Sequence, residues 1–291
     1  MRPTQRQRYA EQIDRLVRYL CTLDWADDAA DIDLEKLATI ANLSPWHFHR
    51  VFRLMTGESV GDLVRRLRVA KGAALLGGSR GEVTQAAMAS GYATPQGFSR
   101  AVRRVTGLSP TDLPRSHEFL ALLQARVAGK EEKPPLSIEI TSIDPFIVQA
   151  MRNVGDYRDL DSAFARLFEQ VFTEQSMHAL QGIYGVPVDD PMSVAPAECR
   201  FECAVKIESL ATPDPPLQAI ELGGGSYLVA HHNGDYDLIH FAIDQLYLAS
   251  IESRDIILAD APVFVSYRDE PEARPADELR ADIYIPIEWE M

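Results

Sequence analysis

Along the first 126 residues, apolar positions recur with the 3.6-residue period of amphipathic helices. Ile13, Leu16, Val17, Leu20 and Leu23 share one face of a helix predicted from Arg6 to Leu23. Val60, Leu63, Val64, Leu67, Ala70, Ala74 and Leu75 mark a longer helix over Ser59–Leu76, whose other face carries Arg65, Arg66, Arg68 and Lys71. Trp25 to Asp33 is acidic and turn-like, with Asp33 placed to cap the next helix.

Two shorter helices match at a shift of fifty residues. Ser44–Arg53 lies over Thr94–Arg103, with Pro45/Pro95, Phe48/Phe98, Arg50/Arg100 and Arg53/Arg103 identical. The match runs on through Thr56/Thr106, Gly57/Gly107, Ser59/Ser109 and Asp62/Asp112, which marks one supersecondary unit used twice. Ser44 or Thr94 can cap each helix, and proline is harmless at its first position. Phe48, Val51, Phe52 and Met55 turn inward in the first copy, and Phe98, Val102 and Val105 in the second. Trp46, His49, Arg50 and Arg53 are left outside, as are Gln96, Ser99, Arg100 and Arg103. A short apolar helix and a tight turn precede each copy: Leu34–Ala41 with Asn42-Leu43, and Val83–Ser90 with Gly91-Tyr92. That is the helix-turn-helix pattern, whose second helix enters a DNA major groove. Arginine can read guanine, glutamine can read adenine, and Trp46 offers an apolar contact, so these eight side chains are the candidate DNA-contacting set. A closing helix is predicted from Ser109-Pro110 to about Arg126.

Residues 127–137 are polar and prolyl and read as a linker. Beyond them short alternating runs replace the helical period. Ile138–Ile143, Phe146–Arg152, Phe201–Ile207, Tyr227–His231, Val263–Tyr267 and Ala281–Ile287 read as strands, and Asp159–Gln175 and Leu238–Ile251 as helices. The order β-α-β-β occurs twice, with Gly155-Asp156-Tyr157 echoed by Gly234-Asp235-Tyr236. Ala163/Ala242, Leu167/Leu246 and Phe168/Tyr247 extend the echo. The predicted fold is multidomain. An all-α N-terminal domain (1–126) holds two helix-turn-helix units joined by a long helix. After the linker (127–137), an α+β C-terminal domain (138–291) has duplicated β-α-β-β units and an antiparallel sheet around a pseudo-twofold groove.

Charge follows the same division. The chain carries a net charge of −14, yet residues 1–133 sum to +5 and residues 134–291 to −19. Ser44–Arg104 holds 10 basic and 3 acidic residues, a local surplus of the kind that phosphate contacts need. Three cysteines make no disulfide framework, and no apolar run approaches membrane-spanning length or resembles a signal peptide, so a cytoplasmic protein without a membrane partner is expected. His231, His232 and His240 match no zinc spacing, Gly223-Gly224-Gly225 precedes a strand and reads as a turn, and no nucleophilic triad stands out. Neither a metal nor a cofactor is expected, nor catalysis as the main role. Tyr157, Tyr227, Tyr236, Tyr267 and Tyr284 are candidate pocket residues, because aromatic faces attract cations.

Residues 6–116 resemble the AraC/XylS family of bacterial transcription regulators. The carriers are Leu37-Ala38, Leu43-Ser44, Phe48, Arg50, Phe52 and Arg65-Arg66-Leu67-Arg68. In the second half they are Ala86-Ala87, Gly91-Tyr92, Phe98-Ser99-Arg100 and Gly107-Leu108-Ser109-Pro110. The resemblance implies that Trp46, His49, Arg50, Gln96, Ser99 and Arg100 face the bases. Gly97, Val102 and the Gly77–Gly81 connection depart from the family pattern. Residues 137–289 resemble the GyrI-like small-molecule-binding domain through Gly155-Asp156-Tyr157, Tyr184-Gly185, Asp189-Asp190-Pro191, Gly224-Gly225-Ser226-Tyr227, His232–Tyr236 and Asp282–Ile287. In that family an acidic residue on the last strand meets cationic aromatic ligands; the matching position is Asp282, one methylene shorter than the usual glutamate. The resemblance implies a regulator that binds double-stranded DNA and a small apolar or cationic effector, with RNA polymerase and a second copy of the chain as candidate partners. Its rivals are a GyrI-like hydrolase using Asp282 or Glu202, and a protein that sequesters drugs without regulating genes.

Overall fold

Caps and left-handed turns fix the helical elements of the computed structural model, which describes residues 4–28, 33–76, 83–113, 138–173, 176–208, 213–253 and 255–289. The helices are α1 (Gln5–Thr22), α2 (Trp25–Asp28), α3 (Leu34–Ala41), α4 (Pro45–Thr56), α5 (Val60–Leu76), α6 (Val83–Ala89) and α7 (Pro95–Thr106). The Asp33 side chain accepts from the Lys36 N–H at 2.7 Å, and Thr94 Oγ1 accepts from Gly97 N–H at 3.1 Å, each satisfying an orphan donor. Where a turn was expected, α2 forms, and it buries Trp25 to 3% exposure.

The repeat extends to its turns. Asn42 (φ 54°) and Gly91 (φ 75°) take the left-handed conformation, and Leu43 N–H and Tyr92 N–H reach back to the Ala38 and Ala87 carbonyls at 2.9 and 3.0 Å. Gly57 and Gly107 end α4 and α7 in the same left-handed way, donating to the Arg53 and Arg103 carbonyls. Ser59 and Ser109 each bond the carboxylate three residues on, Asp62 and Asp112.

The chain divides into two compact units, residues 9–45 with 52–130, and residues 1–8, 46–51 and 131–291. In the first, Phe98 and Val102 of α7 and Ala86 and Ala87 of α6 pack on Val69, Ala70, Ala73 and Leu76 of α5. Arg68 does not join the outer basic face that the period assigns to it. Its guanidinium lies 4.1 Å from the Tyr92 ring centre and donates to the Ser90 and Gly91 carbonyls, binding α5 to the second turn. The Gly77–Gly81 connection, the closing helix beyond Leu113 and the 127–137 linker lie outside the described residues.

The second unit holds a nine-stranded antiparallel sheet with helices α8 (Leu160–Phe172) and α9 (Ile239–Glu252). Its strands are β1 (Ile138–Ile143), β2 (Phe146–Val154), β3 (Leu180–Pro187), β4 (Arg200–Ile207), β5 (Gln218–Leu222), β6 (Gly225–Asn233), β7 (Ile256–Leu258), β8 (Phe264–Tyr267) and β9 (Arg280–Trp289). Their order, β1-β6-β9-β8-β3-β4-β2-β5, is palindromic about the β8–β3 pair, with β7 added on β9. The duplication expected from the echo is therefore a spatial one. The edge strands are exchanged: β1 leads into β2 but pairs with β6, and β5 leads into β6 but pairs with β2. Strand alternation separates two buried layers. Phe201, Cys203, Val205 and Ile207 lie under Ala163, Leu167 and Val171 of α8. Val148, Ala150, Ala204, Tyr227, Val229 and Phe264 form the layer on the other face.

Candidate effector pocket and DNA-reading helices

The repeated Gly-Asp-Tyr segments place two tyrosines symmetrically. Gly155 N–H and Gly234 N–H donate to the Cys199 and Leu279 carbonyls at 2.9 and 2.8 Å. Asp156 and Asp235 then cap the following turns through the Arg158 and Asp237 N–H groups. The Tyr157 hydroxyl is directed at the Asp189 and Arg200 carbonyls (2.9 and 2.6 Å), and the Tyr236 hydroxyl at those of Asp269 and Arg280 (2.9 and 2.8 Å). Arg200 grips Asp189 with two bonds of 2.8 and 2.7 Å, and Arg280 grips Asp269 likewise. Asp189 is thus a clamp residue.

Tyr157 and Tyr236 converge on one cavity of about 270 Å³, which Leu160, Phe201, Ile239 and Tyr267 also line. Burial raises the phenols of Tyr157 and Tyr267 well above their ordinary range, so both stay neutral. Burial also pushes the Cys199 thiol, on the same wall, up to about 12, which removes it as a nucleophile near neutral pH. Such walls suit an apolar, aromatic body.

Arg50 lines this cavity too. Residues 46–51 belong to the sheet-containing unit, and Arg50 is only 5% exposed. Its expected outward direction is therefore corrected. Arg50 Nη1 donates to an Asp244 carboxylate oxygen and, at 3.2 Å, to the His240 carbonyl; Nη2 lies 3.7 Å from Asp190 Oδ1, and Cζ lies 5.6 Å from the Tyr247 ring centre. Burial opposes the charge, but Asp190 and Asp244 more than offset it and hold the guanidinium above its ordinary pKa. His47, 2% exposed, sits beside it, with Nδ1 2.6 Å from the Tyr247 hydroxyl and Nε2 2.7 Å from the Ala259 carbonyl. A carbonyl only accepts, so Nε2 carries the proton and Nδ1 accepts from Tyr247. Burial lowers the pKa of His47 to about 4. The sequence singles out neither His47 nor Asp244, and it marks Asp190 and Tyr247 only as a motif position and a repeat position, not as site residues. The one available signal was an aspartate in the otherwise apolar run of α9.

The six effector candidates do not assemble. Tyr157, Tyr236 and Tyr267 line the cavity. Asp282 pairs in register with His231 and Ser266, and Tyr284 with Val229 and Phe264, which puts both on the opposite face of the sheet, where Tyr227 also packs. Asp282 is held by His231 Nδ1 at 2.6 Å and Arg268 Nε at 2.7 Å. Although partial burial opposes ionisation, those two partners keep its carboxyl below the ordinary aspartate range. Its counterpart in the first repeat, Glu202, is held by Arg152 and Gln218 in the same way.

On the helices of the repeat, α7 exposes Gln96, Arg100 and Arg103, with Ser99 half-buried and donating to the Pro95 carbonyl. On α4, Trp46 is 40% exposed and His49 and Arg53 are half-buried. Among the described residues no group of three His, Cys, Asp or Glu side chains is arranged for a metal ion, and no helix is long and apolar enough to cross a membrane.

Residues 136–288 match the model of the GyrI-like small molecule binding domain, and residues 37–116 that of a helix-turn-helix domain. Regulatory protein SoxS of Escherichia coli (strain K12) is 31% identical over 90 residues, which are 30% of this chain and 84% of SoxS. The chain belongs to the AraC/XylS regulators that carry a GyrI-like domain. Transcriptional regulator Rob of Salmonella typhimurium is 29% identical over 101 residues, 34% of this chain and 35% of Rob. The EcmrR C-terminal domain aligns in structure with a TM-score of 0.42 at 17% identity, over 53% of this chain and 98% of that one. This AraC/XylS member is accordingly a DNA-binding transcription regulator with a GyrI-like ligand-binding domain.

Proposed function

We propose that this regulator takes an effector with an aromatic, apolar body between Tyr157 and Tyr236, and that α4 and α7 read successive major-groove segments. The observation that carries the pocket is the convergence of the two repeated tyrosines on one cavity with Tyr267 and Phe201. Neutral phenols and an inert thiol supply contact without a nucleophile, which supports binding over turnover. The DNA contacts proposed are Gln96, Ser99, Arg100 and Arg103 on α7 with Trp46, His49 and Arg53 on α4; Arg50 joins them only once it leaves its carboxylates. Two such helices reach adjacent grooves when they lie about 34 Å apart, one turn of duplex. RNA polymerase and a second copy of the chain remain proposed partners.

Calorimetric titration with benzamide, a neutral aromatic probe, tests the pocket. Binding that Tyr157→Ala and Tyr236→Ala each weaken at least tenfold is expected, with the probe recovered unchanged by chromatography. Binding indifferent to both variants overturns the assignment, and consumption of the probe favours a hydrolase.

A further inference from the structure

We infer that Asp190 and Asp244, with the face of Tyr247, form a buried cation seat that Arg50 fills from within the chain, and that an aromatic amidinium or guanidinium compound entering the adjoining cavity competes with Arg50 for it. The inference rests on the pocket proposed above and names the regulation of that site. Three observations carry it.

The seat is built. The side chains of Asp190 and Asp244 are 1% and 2% exposed, and Arg50 is their buried cation. Asp190 is held in place by the Met192 N–H at 3.1 Å and the Ser193 hydroxyl at 2.7 Å. Two buried carboxylates call for a cation, because a buried charge left unpaired is strongly unfavourable.

The repeat does not require it. The echo that sets Ala163 against Ala242 and Leu167 against Leu246 sets Ala165 against Asp244. The matching Arg200–Asp189 and Arg280–Asp269 clamps set Asp190 against Glu270, which is exposed. Phe168 falls on Tyr247, whose added hydroxyl meets His47. The matching site, with Ala165, Phe168 and the exposed Glu270, thus completes the fold without a buried carboxylate pair, whereas here Asp190 from the first repeat and Asp244 and Tyr247 from the second all face the segment 46–51.

The seat adjoins the cavity, since the Arg50 side chain is part of its wall. A ligand whose ring lies among Tyr157, Tyr236 and Tyr267 can place a planar cation where the guanidinium is, with cation–π contact to Tyr247 in addition. Displacement returns Arg50 to the polar stripe of α4 beside Trp46, His49 and Arg53. Effector charge is then read directly as the availability of one candidate base-reading side chain.

The test uses the full chain with benzamidine and its neutral counterpart benzamide. Arg50→Ala should raise the ratio of benzamidine to benzamide affinity at least tenfold; adding Asp244→Asn should cancel the gain. Benzamidine should also raise the melting temperature of Arg50→Ala more than that of the parent protein. If Arg50→Ala fails to fold in buffer, refolding in benzamidine but not in benzamide supports the seat, and equal failure in both overturns it. Equal binding of the two compounds by every variant removes the seat and leaves the pocket. Binding of neither compound by any variant overturns both.

Discussion

Gly72 on α5 lies so close beneath Phe98 of α7 that a Cβ placed on it would come within 2.5 Å of the ring. Phe98 is the same position of the repeat that Phe48 fills in α4, and both are wholly buried. The long helix thus carries a glycine in its interior for the sake of the second helix-turn-helix unit.

Gly72→Ala should destabilise the helical unit. Alanine gains about 0.5–1 kcal/mol in helix preference, whereas overpacking costs about 1–3 kcal/mol. The ring has little room to yield, with Ser90 Oγ 2.7 Å from the same point. Urea unfolding followed by circular dichroism should show a lower midpoint; an unchanged or higher one means that α7 sits further from α5.

Arg100→Ala should weaken operator binding by about 1–3 kcal/mol and relax preference at one base pair, as loss of a base-reading arginine does. Fluorescence anisotropy at fixed salt checks it. Arg103 is proposed as a phosphate contact, so Arg103→Ala should weaken all sequences alike and reduce the salt slope by about one. An Arg100→Ala protein with parental affinity removes that residue from the reading face.

Stability should depend on His47 below neutrality. Its pKa is about 4 in the folded chain against an ordinary 6.5, so the unfolded chain binds the extra proton across that interval. Stability therefore rises with pH there, and the contribution is lost as pH falls from about 6.5 toward 4, by about 3 kcal/mol at most. Denaturant titrations at pH 7.5 and 5.0 should differ more for the parent protein than for His47→Gln. Equal differences would place the titration elsewhere.

Asp282→Asn should leave benzamide and benzamidine affinity within twofold of the parent value, because the carboxylate faces away from the cavity and is held by Arg268 and His231. Calorimetry checks it, and a tenfold loss for benzamidine alone would restore Asp282 as the ligand's partner.

The pattern of helices, the Thr94 cap and the duplicated sheet unit were legible because each is written locally. Thr94 and Gly97 are three residues apart, and so are Ser59 and Asp62. The burial of Arg50 is not legible, because helical periodicity identifies a polar stripe without saying what covers it, and its partner Asp244 lies 194 residues along the chain. Asp282 was assigned through family resemblance, while strand alternation left its face open; only the register with His231 and Ser266 decides it. The clamp role of Asp189 follows from Arg200 and Tyr157 converging on one turn, which spacing alone does not reveal.

The crossing of β1 and β5 ties the ends of the sheet together in an unexpected way. Trimming the chain as far as Pro145 would leave β2 fully flanked, since β4 and β5 remain beside it. It would instead strip the outer neighbour from β6, at the far end of the ribbon, and open a bare row of amide groups there to pairing with other molecules. Damage at the start of the domain is felt in the half encoded last.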